Sequence, residues 1–132
     1  MVGVDLRVLA GVLALAGVLA AAASARAEAT GQQLYVDNCS ACHQKTGLGI
    51  PKAFPALKGD KLVTGPPRGV AATVLNGRGG MPAFKDSLSD ADLALILTYV
   101  RSSWGNAAQP VAPADFAAAR KGPPPSARLQ AH

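Results

Sequence analysis

Histidine, methionine and cysteine are scarce in this sequence, and each contributes only two of the 132 residues. A structural zinc site needs four ligands. Besides the two cysteines, the chain offers only His43 and, at its extreme C-terminus, His132 as nitrogen ligands. A structural zinc site is therefore disfavoured.

The sequence also lacks the strict alternation of apolar and polar residues that marks a β-strand. Apolar residues recur instead at helical spacing, as at Leu93, Ile96, Leu97 and Val100. We therefore predict an all-α fold. The same absence disfavours a thioredoxin-like dithiol, which needs an α/β pattern.

Long runs of one charge are missing, although Lys and Arg outnumber Asp and Glu by 13 to 8 and the formal net charge is +5. No basic run is longer than the pair Arg120 and Lys121. We therefore predict no nucleic-acid partner. The basic balance suits attraction of acidic protein partners.

One long apolar run is present, at residues 8–23, which contain only Val, Leu, Ala and Gly. It precedes Ala25, Arg26 and Ala27, which have the small-x-small form of a signal peptidase site. We predict that residues 1–27 are a signal peptide, cleaved after Ala27, and that the protein is periplasmic. The alternative is an uncleaved anchor, but the run is shorter than the roughly 20 residues of a membrane span. Membrane association would be loose at most.

Cleavage would remove two Arg and one Asp and leave 105 residues with a formal charge of +4. We predict one domain over residues 28–106, followed by a flexible, Ala/Pro-rich tail over residues 107–132. Pro110, Pro113 and the prolines at 123–125 are typical of an extended or disordered segment. Within this tail, one or two helical turns over Ala114 to Arg120, anchored by Phe116, are the alternative.

Three helices are predicted within the domain from their end signals. The first covers residues 30–38, and the second covers residues 68–75, before the stop signal of Asn76 and Gly77. The third covers residues 90–104, beginning at a capping box of Ser89 and Asp92.

The most specific motif is Cys39-x-x-Cys42-His43. Positions i and i+3 share one face of a helical turn, so both thiols can add to the vinyl groups of one porphyrin while the imidazole lies under the iron. C-x-x-C-H is the pattern of c-type haem attachment. We predict one haem c, bound through Cys39 and Cys42, with His43 as an iron ligand. A plain disulfide between these cysteines would close a very short loop and stabilise little.

Met81 is the candidate for the second iron ligand, because it is the one methionine besides the initiator. Gly79 and Gly80 before it allow close backbone approach. Pro82 after it disfavours helical geometry at Met81. The sequence therefore predicts a loop that presents the thioether.

The C-x-x-C-H run, the Gly80-Met81-Pro82 segment and the Tyr99-containing last helix resemble the class I (monohaem) cytochromes c, over residues 31–105. The resemblance implies a small fold of about three main helices around one covalent haem. It also implies that the first and last helices cross, with these residues in contact: Gly31 and Tyr35 on one, Ile96 and Tyr99 on the other.

The resemblance implies two further residues of the haem site. The carbonyl of Pro55 would accept the second imidazole proton of His43, and Leu57 would touch the haem ring. Residues 81–84 and 102–106 are also similar to cytochrome c subunits and domains that serve periplasmic alcohol dehydrogenases.

If His43 and Met81 fill both axial positions of the iron, no coordination site remains for a substrate. We therefore expect a carrier of single electrons and not an enzyme. Its expected partners are redox proteins: a periplasmic dehydrogenase or a quinol-oxidising complex as donor, and a terminal oxidase as acceptor. A more specific expectation is that this chain is the electron-accepting subunit of an alcohol dehydrogenase. The alternative is a haem-based sensor or peroxidase-like enzyme in which Met81 is displaceable.

Overall fold

The computed structural model describes residues 30–122, and these form six helices and no strand. The helices are α1 (Thr30–Asn38), α2 (Ser40–His43), α3 (Lys61–Thr64), α4 (Pro67–Asn76), α5 (Asp90–Ser102) and α6 (Pro113–Lys121). The predicted all-α class is confirmed. The predicted signal peptide and residues 123–132 lie outside the described part. None of the helices within residues 30–122 is long and apolar enough to cross a membrane.

The three predicted helices correspond to α1, α4 and α5, and their ends follow local signals. The Ser89 hydroxyl accepts a 3.1 Å hydrogen bond from the Asp92 amide, which caps the start of α5. Gly77 ends α4 with a φ of 74° and donates its N–H to Thr73. Helix α5 ends at Ser102, two residues before the end at Trp104 that was predicted for it.

Helices α1 and α5 cross closely, as predicted. A Cβ on Gly31 would lie 2.8 Å from the Leu95 carbonyl oxygen and 3.3 Å from Cβ of Tyr99. Tyr35 is fully buried in a cluster with Val63, Ile96 and Val100. The crossing therefore forms one of two apolar clusters, which we call the α1–α5 cluster.

The second apolar cluster lies between α4, α5 and α6, and it corrects the prediction of a flexible tail from residue 107. Val111, Phe116 and Ala119 are buried there against Leu75, Leu93 and other apolar residues of α4 and α5. The alternative of a short helix anchored by Phe116 is confirmed as far as residue 122. Proline did not prevent this packing, because Pro113 stands at the start of α6, where its missing N–H costs no helical hydrogen bond.

Arg101 joins the segment before α6 to the rest of the domain. Its side chain donates to the backbone carbonyls of Gln109 (2.7 Å), Gly65 (2.8 Å) and Val63. Burial lowers the pKa of this guanidinium, and Asp115 opposes that shift. The folded unit therefore continues past the predicted end at residue 106.

Candidate haem-binding site

The two cysteines and His43 lie within one turn of backbone at the end of α1. The Cys39 carbonyl accepts hydrogen bonds from the amides of Cys42 (3.2 Å) and His43 (3.0 Å). Both cysteine side chains are half-buried. The structure thus brings together the three motif residues as the spacing predicts.

Cys39 lies at the edge of the α1–α5 cluster. Burial raises the pKa of the Cys39 thiol to about 11, with a smaller contribution from the neighbouring Cys42. An ordinary thiol is already mostly neutral at pH 7. Burial reinforces this before haem attachment, so an apolar group can pack against the sulphur without desolvating a charge.

The imidazole of His43 is oriented by Pro55. The distance from His43 Nδ1 to the Pro55 carbonyl oxygen is 2.9 Å. A carbonyl can only accept, so Nδ1 carries the hydrogen and Nε2 keeps its lone pair for a metal. In metal sites, a hydrogen bond from the ring nitrogen that does not bind the metal fixes the tautomer and the orientation of the histidine.

The close approach of Pro55 depends on a glycine in the intervening loop. Gly49 has a φ of 62°, and its amide donates to the His43 carbonyl at 3.0 Å. A Cβ at this position would lie 2.5 Å from the Pro55 oxygen. Only glycine fits here, since any side chain would push Pro55 away from the imidazole.

Leu57 lies on the same loop and is half-buried. Its amide donates to the Gly47 carbonyl at 2.8 Å. Its side chain packs against the α1–α5 cluster, as Cys39 does. Leu57 and Cys39 therefore both border the α1–α5 cluster.

Trp104 is a residue that the sequence did not assign to this site. Its indole nitrogen donates to the Lys45 carbonyl at 3.0 Å, and its ring covers Gly47, two residues further along. Tyr35 donates its hydroxyl to the next carbonyl back, that of Gln44, at 2.6 Å. Both aromatic side chains thereby hold the backbone directly after His43.

The two rings belong to a packed aromatic trio with Tyr99, whose centroids are 5.3 to 5.8 Å apart. Burial, with smaller contributions from Cys39 and Tyr99, raises the pKa of the Tyr35 phenol above its usual range. In the sequence, the contact of Trp104 with this loop is signalled only by Gly47, which has no side chain and leaves room for the flat indole ring.

Met81 lies in a separate loop, residues 77–88, which we call the methionine loop. Its amide and carbonyl both bond to Arg78, at 2.9 and 3.2 Å, and form a tight turn. Gly77 permits the turn, because a Cβ there would lie 2.5 Å from the Met81 oxygen. The loop predicted from the glycines is present. The described hydrogen bonds of Met81 run to Arg78 and not to the motif residues.

The side chains present fit a haem c. Two thiols are available for attachment and the imidazole Nε2 is free to bind a metal, and exposed apolar side chains follow on the same loop, with Leu48 at 56% exposure. Arg78 Nε is buried without a hydrogen-bond partner in the described part of the structure. A buried cationic donor of this kind suits an acidic group of a bound cofactor. Within residues 30–122, no three His, Cys, Asp or Glu side chains cluster as a metal site.

Comparisons with known proteins show the family of the chain. Residues 26–100 match the family model described as "Cytochrome C oxidase, cbb3-type, subunit III". The chain is 38% identical over 110 residues to cytochrome c6 of Picosynechococcus sp., covering 76% of this chain and 90% of that protein.

Two larger relatives match over one segment. The cytochrome c subunit of the quinone-dependent alcohol dehydrogenase of Gluconobacter oxydans is 34% identical over 88 residues, or 58% of this chain and 18% of that subunit. The oxidase subunit FixP of Azorhizobium caulinodans is 36% identical over 106 residues, or 73% of this chain and 34% of that subunit. The chain thus spans about a fifth of the length of the alcohol dehydrogenase subunits that it matches. With its paired thiols, its oriented imidazole and its all-helical fold, the chain belongs to the cytochrome c family, as a monohaem class I electron-transfer protein that binds haem c covalently through Cys39 and Cys42.

Proposed function

We propose that His43 Nε2 and the Met81 thioether are the two axial iron ligands, with Pro55 orienting His43 and Leu57 contacting the haem ring. The observation that carries the assignment of His43 is the hydrogen bond from His43 Nδ1 to the Pro55 carbonyl, whereas Met81 is proposed from the sequence, as the one methionine besides the initiator. This hydrogen bond leaves one imidazole nitrogen available and fixes the plane of the ring. Haem c, when bound, supplies a one-electron couple between ferric and ferrous iron.

The chain's own residues set the character of that couple. A thioether opposite an imidazole favours the ferrous state and raises the reduction potential. The Pro55 bond and the Gly49 turn hold the imidazole in one orientation, so little needs to rearrange when the iron changes its charge. Two filled axial positions leave no site for a substrate, which supports electron transfer and not turnover.

The ligand proposal is tested with Met81→Ala and carbon monoxide. The reduced native protein should bind carbon monoxide slowly or not at all, because Met81 fills the distal position. Met81→Ala should bind it rapidly and stoichiometrically, and its reduction potential should fall. Ser87→Ala, an exposed change on the same loop, is the control and should match the native protein.

Rapid, stoichiometric carbon monoxide binding by the native protein would contradict the carrier proposal. It would favour the alternative of a haem sensor or peroxidase-like enzyme with a displaceable methionine.

The proposed cellular role is that of a periplasmic carrier between a dehydrogenase or quinol-oxidising complex and a terminal oxidase. The relatives named as subunits of an alcohol dehydrogenase and of a cbb3-type oxidase support redox complexes of this kind as partners. The excess of basic residues supports docking to acidic surfaces. The more specific role is as the electron acceptor of a quinoprotein or flavoprotein alcohol dehydrogenase.

Export and partner are tested on the native protein. The mature chain should begin at Glu28, and a chain that still begins at Met1 would contradict cleavage. Copurification with a dehydrogenase should fall as the salt concentration rises. Copurification with neither a dehydrogenase nor an oxidase would count against the partner proposal.

A further inference from the structure

The methionine loop is tied to the end of α4 by two backbone hydrogen bonds downstream of Met81. The Phe84 amide donates to the Val74 carbonyl at 3.1 Å, and the Lys85 amide donates to the Leu75 carbonyl at 3.2 Å. The side chain of Phe84 also packs against the cluster between α4, α5 and α6. The position of Met81 therefore depends on what holds residues 84 and 85.

Arg120 of α6 makes a third tie to the same point. Its Nη1 donates to the Lys85 carbonyl at 2.8 Å, and its Nε donates to Asp90 Oδ1, also at 2.8 Å. Asp90 begins α5, two residues after the loop ends at residue 88. One guanidinium thus spans the downstream half of the methionine loop, and its planar fork suits two acceptors at fixed positions.

Helix α6 is itself firmly placed, so Arg120 has a fixed base. Phe116, one turn before Arg120, is fully buried in the same cluster. Beside the contact lies a cleft of about 330 Å³, lined by Lys85, Arg120, Leu75 and their neighbours. Among the described residues, Lys85 is exposed and borders this cleft, so its carbonyl can move when Arg120 does not hold it.

We propose that α6 acts through Arg120 as a brace on the methionine loop, and that this brace governs how readily Met81 is displaced from the iron by an external ligand. Arg120 is a positioning residue, because it acts on Lys85 and Asp90 and not on the cofactor. The inference rests on the proposed ligand role of Met81. The proposal gives α6 a function in retaining the Met81 ligand, in addition to covering the cluster between α4, α5 and α6.

The test is imidazole binding to the ferric holoprotein, followed through loss of the weak far-red absorption band of iron bound to a thioether sulphur. Arg120→Gln should raise the affinity for imidazole by about twofold to fivefold, since both hydrogen bonds of a guanidinium that is 35% exposed are lost. Lys121→Gln removes the same charge from the neighbouring exposed position and should leave the affinity unchanged.

Gly31→Ala tests whether a general loss of stability is enough to weaken the Met81 ligand. It strains the α1–α5 crossing and does not touch the brace. It should lower the denaturant midpoint without raising imidazole affinity. If Arg120→Gln does not fold, two milder variants should give smaller increases of the same sign. Asp90→Asn weakens one arm of the fork, and Arg120→Lys keeps the charge but lacks the planar fork.

The outcomes distinguish the two proposals. If the native protein has no thioether band, or if Met81→Ala leaves the band unchanged, the ligand proposal fails. If the band depends on Met81 but Arg120→Gln binds imidazole no better than Lys121→Gln does, the ligand proposal stands and the brace is overturned.

Discussion

Gly47 is the point at which the loop after His43 meets the end of α5. Its φ is 67°, and a Cβ would lie 2.3 Å from the Trp104 ring. Its carbonyl accepts the amides of Leu57 and Lys58, at 2.8 and 3.0 Å. One residue without a side chain therefore allows the indole to cover the loop that also carries the Pro55 carbonyl.

Gly47→Ala should destabilise the holoprotein more than Gly59→Ala does, as measured by urea unfolding. Gly59 also has a positive φ, of 71°, but a Cβ there would meet nothing within 4 Å. Gly59→Ala should cost about 1–2 kcal/mol, for the backbone conformation alone. Gly47→Ala should cost about 1–3 kcal/mol more, because the indole must move.

Equal losses at the two glycines would show that Trp104 does not cover Gly47. In the background of Trp104→Ala, the extra cost at Gly47 should largely disappear, because the two changes share one contact.

At the scale of helices, the crossing of α1 and α5 depends on how closely two backbones can approach. Gly31 sits against the Leu95 carbonyl, whereas Gly69 in α4 has only the end of the Leu62 side chain near it, at 3.5 Å. Both glycines are helical. They differ in what an added methyl group would meet.

We expect Ala substitutions at these two glycines to have opposite signs. Gly69→Ala should stabilise the protein by about 0.5–1 kcal/mol, through helix propensity. Gly31→Ala should destabilise it by about 1–3 kcal/mol, because the methyl group would lie against backbone that cannot rotate away. Denaturant midpoints measure both, and stabilisation at Gly31 would contradict the close crossing.

At the scale of the whole molecule, residues 31–122 pack as two apolar clusters, and α5 contributes residues to both. Leu88 also contacts both clusters. Arg101 adds a polar link, because its guanidinium joins the carbonyls of Val63 and Gly65 to the carbonyl of Gln109. The segment after α5 is thus part of the folded unit, and its loss should affect the whole domain.

Phe116→Ala should destabilise the holoprotein by about 3–5 kcal/mol, because a fully buried aromatic ring would leave a cavity. Ala118→Ser, on the exposed side of the same helix, should change stability by no more than about 0.5 kcal/mol. Urea unfolding of both variants provides the measurement. A negligible effect of Phe116→Ala would restore the view that this segment is a flexible tail.

The sequence by itself determined the features that depend on neighbouring residues. One helical turn brings Cys39, Cys42 and His43 together, so their spacing was sufficient to predict the haem attachment. The Ser89 cap, the Gly77 stop and the turn that carries Met81 are also local, since each is formed by bonds spanning a few residues. Periodicity was enough for the all-α class, because a buried helix face needs apolar residues at helical spacing.

Only the tertiary structure decided what long-range contacts fix. Trp104 bonds to a carbonyl 59 residues away, and no local pattern encodes such a partner. The segment with α6 has a composition typical of a tail, yet it folds because α4 and α5 present an apolar surface that Val111, Phe116 and Ala119 bury. Burial supplies the free energy that so short a helix lacks in isolation, and that surface exists only once the other helices have packed.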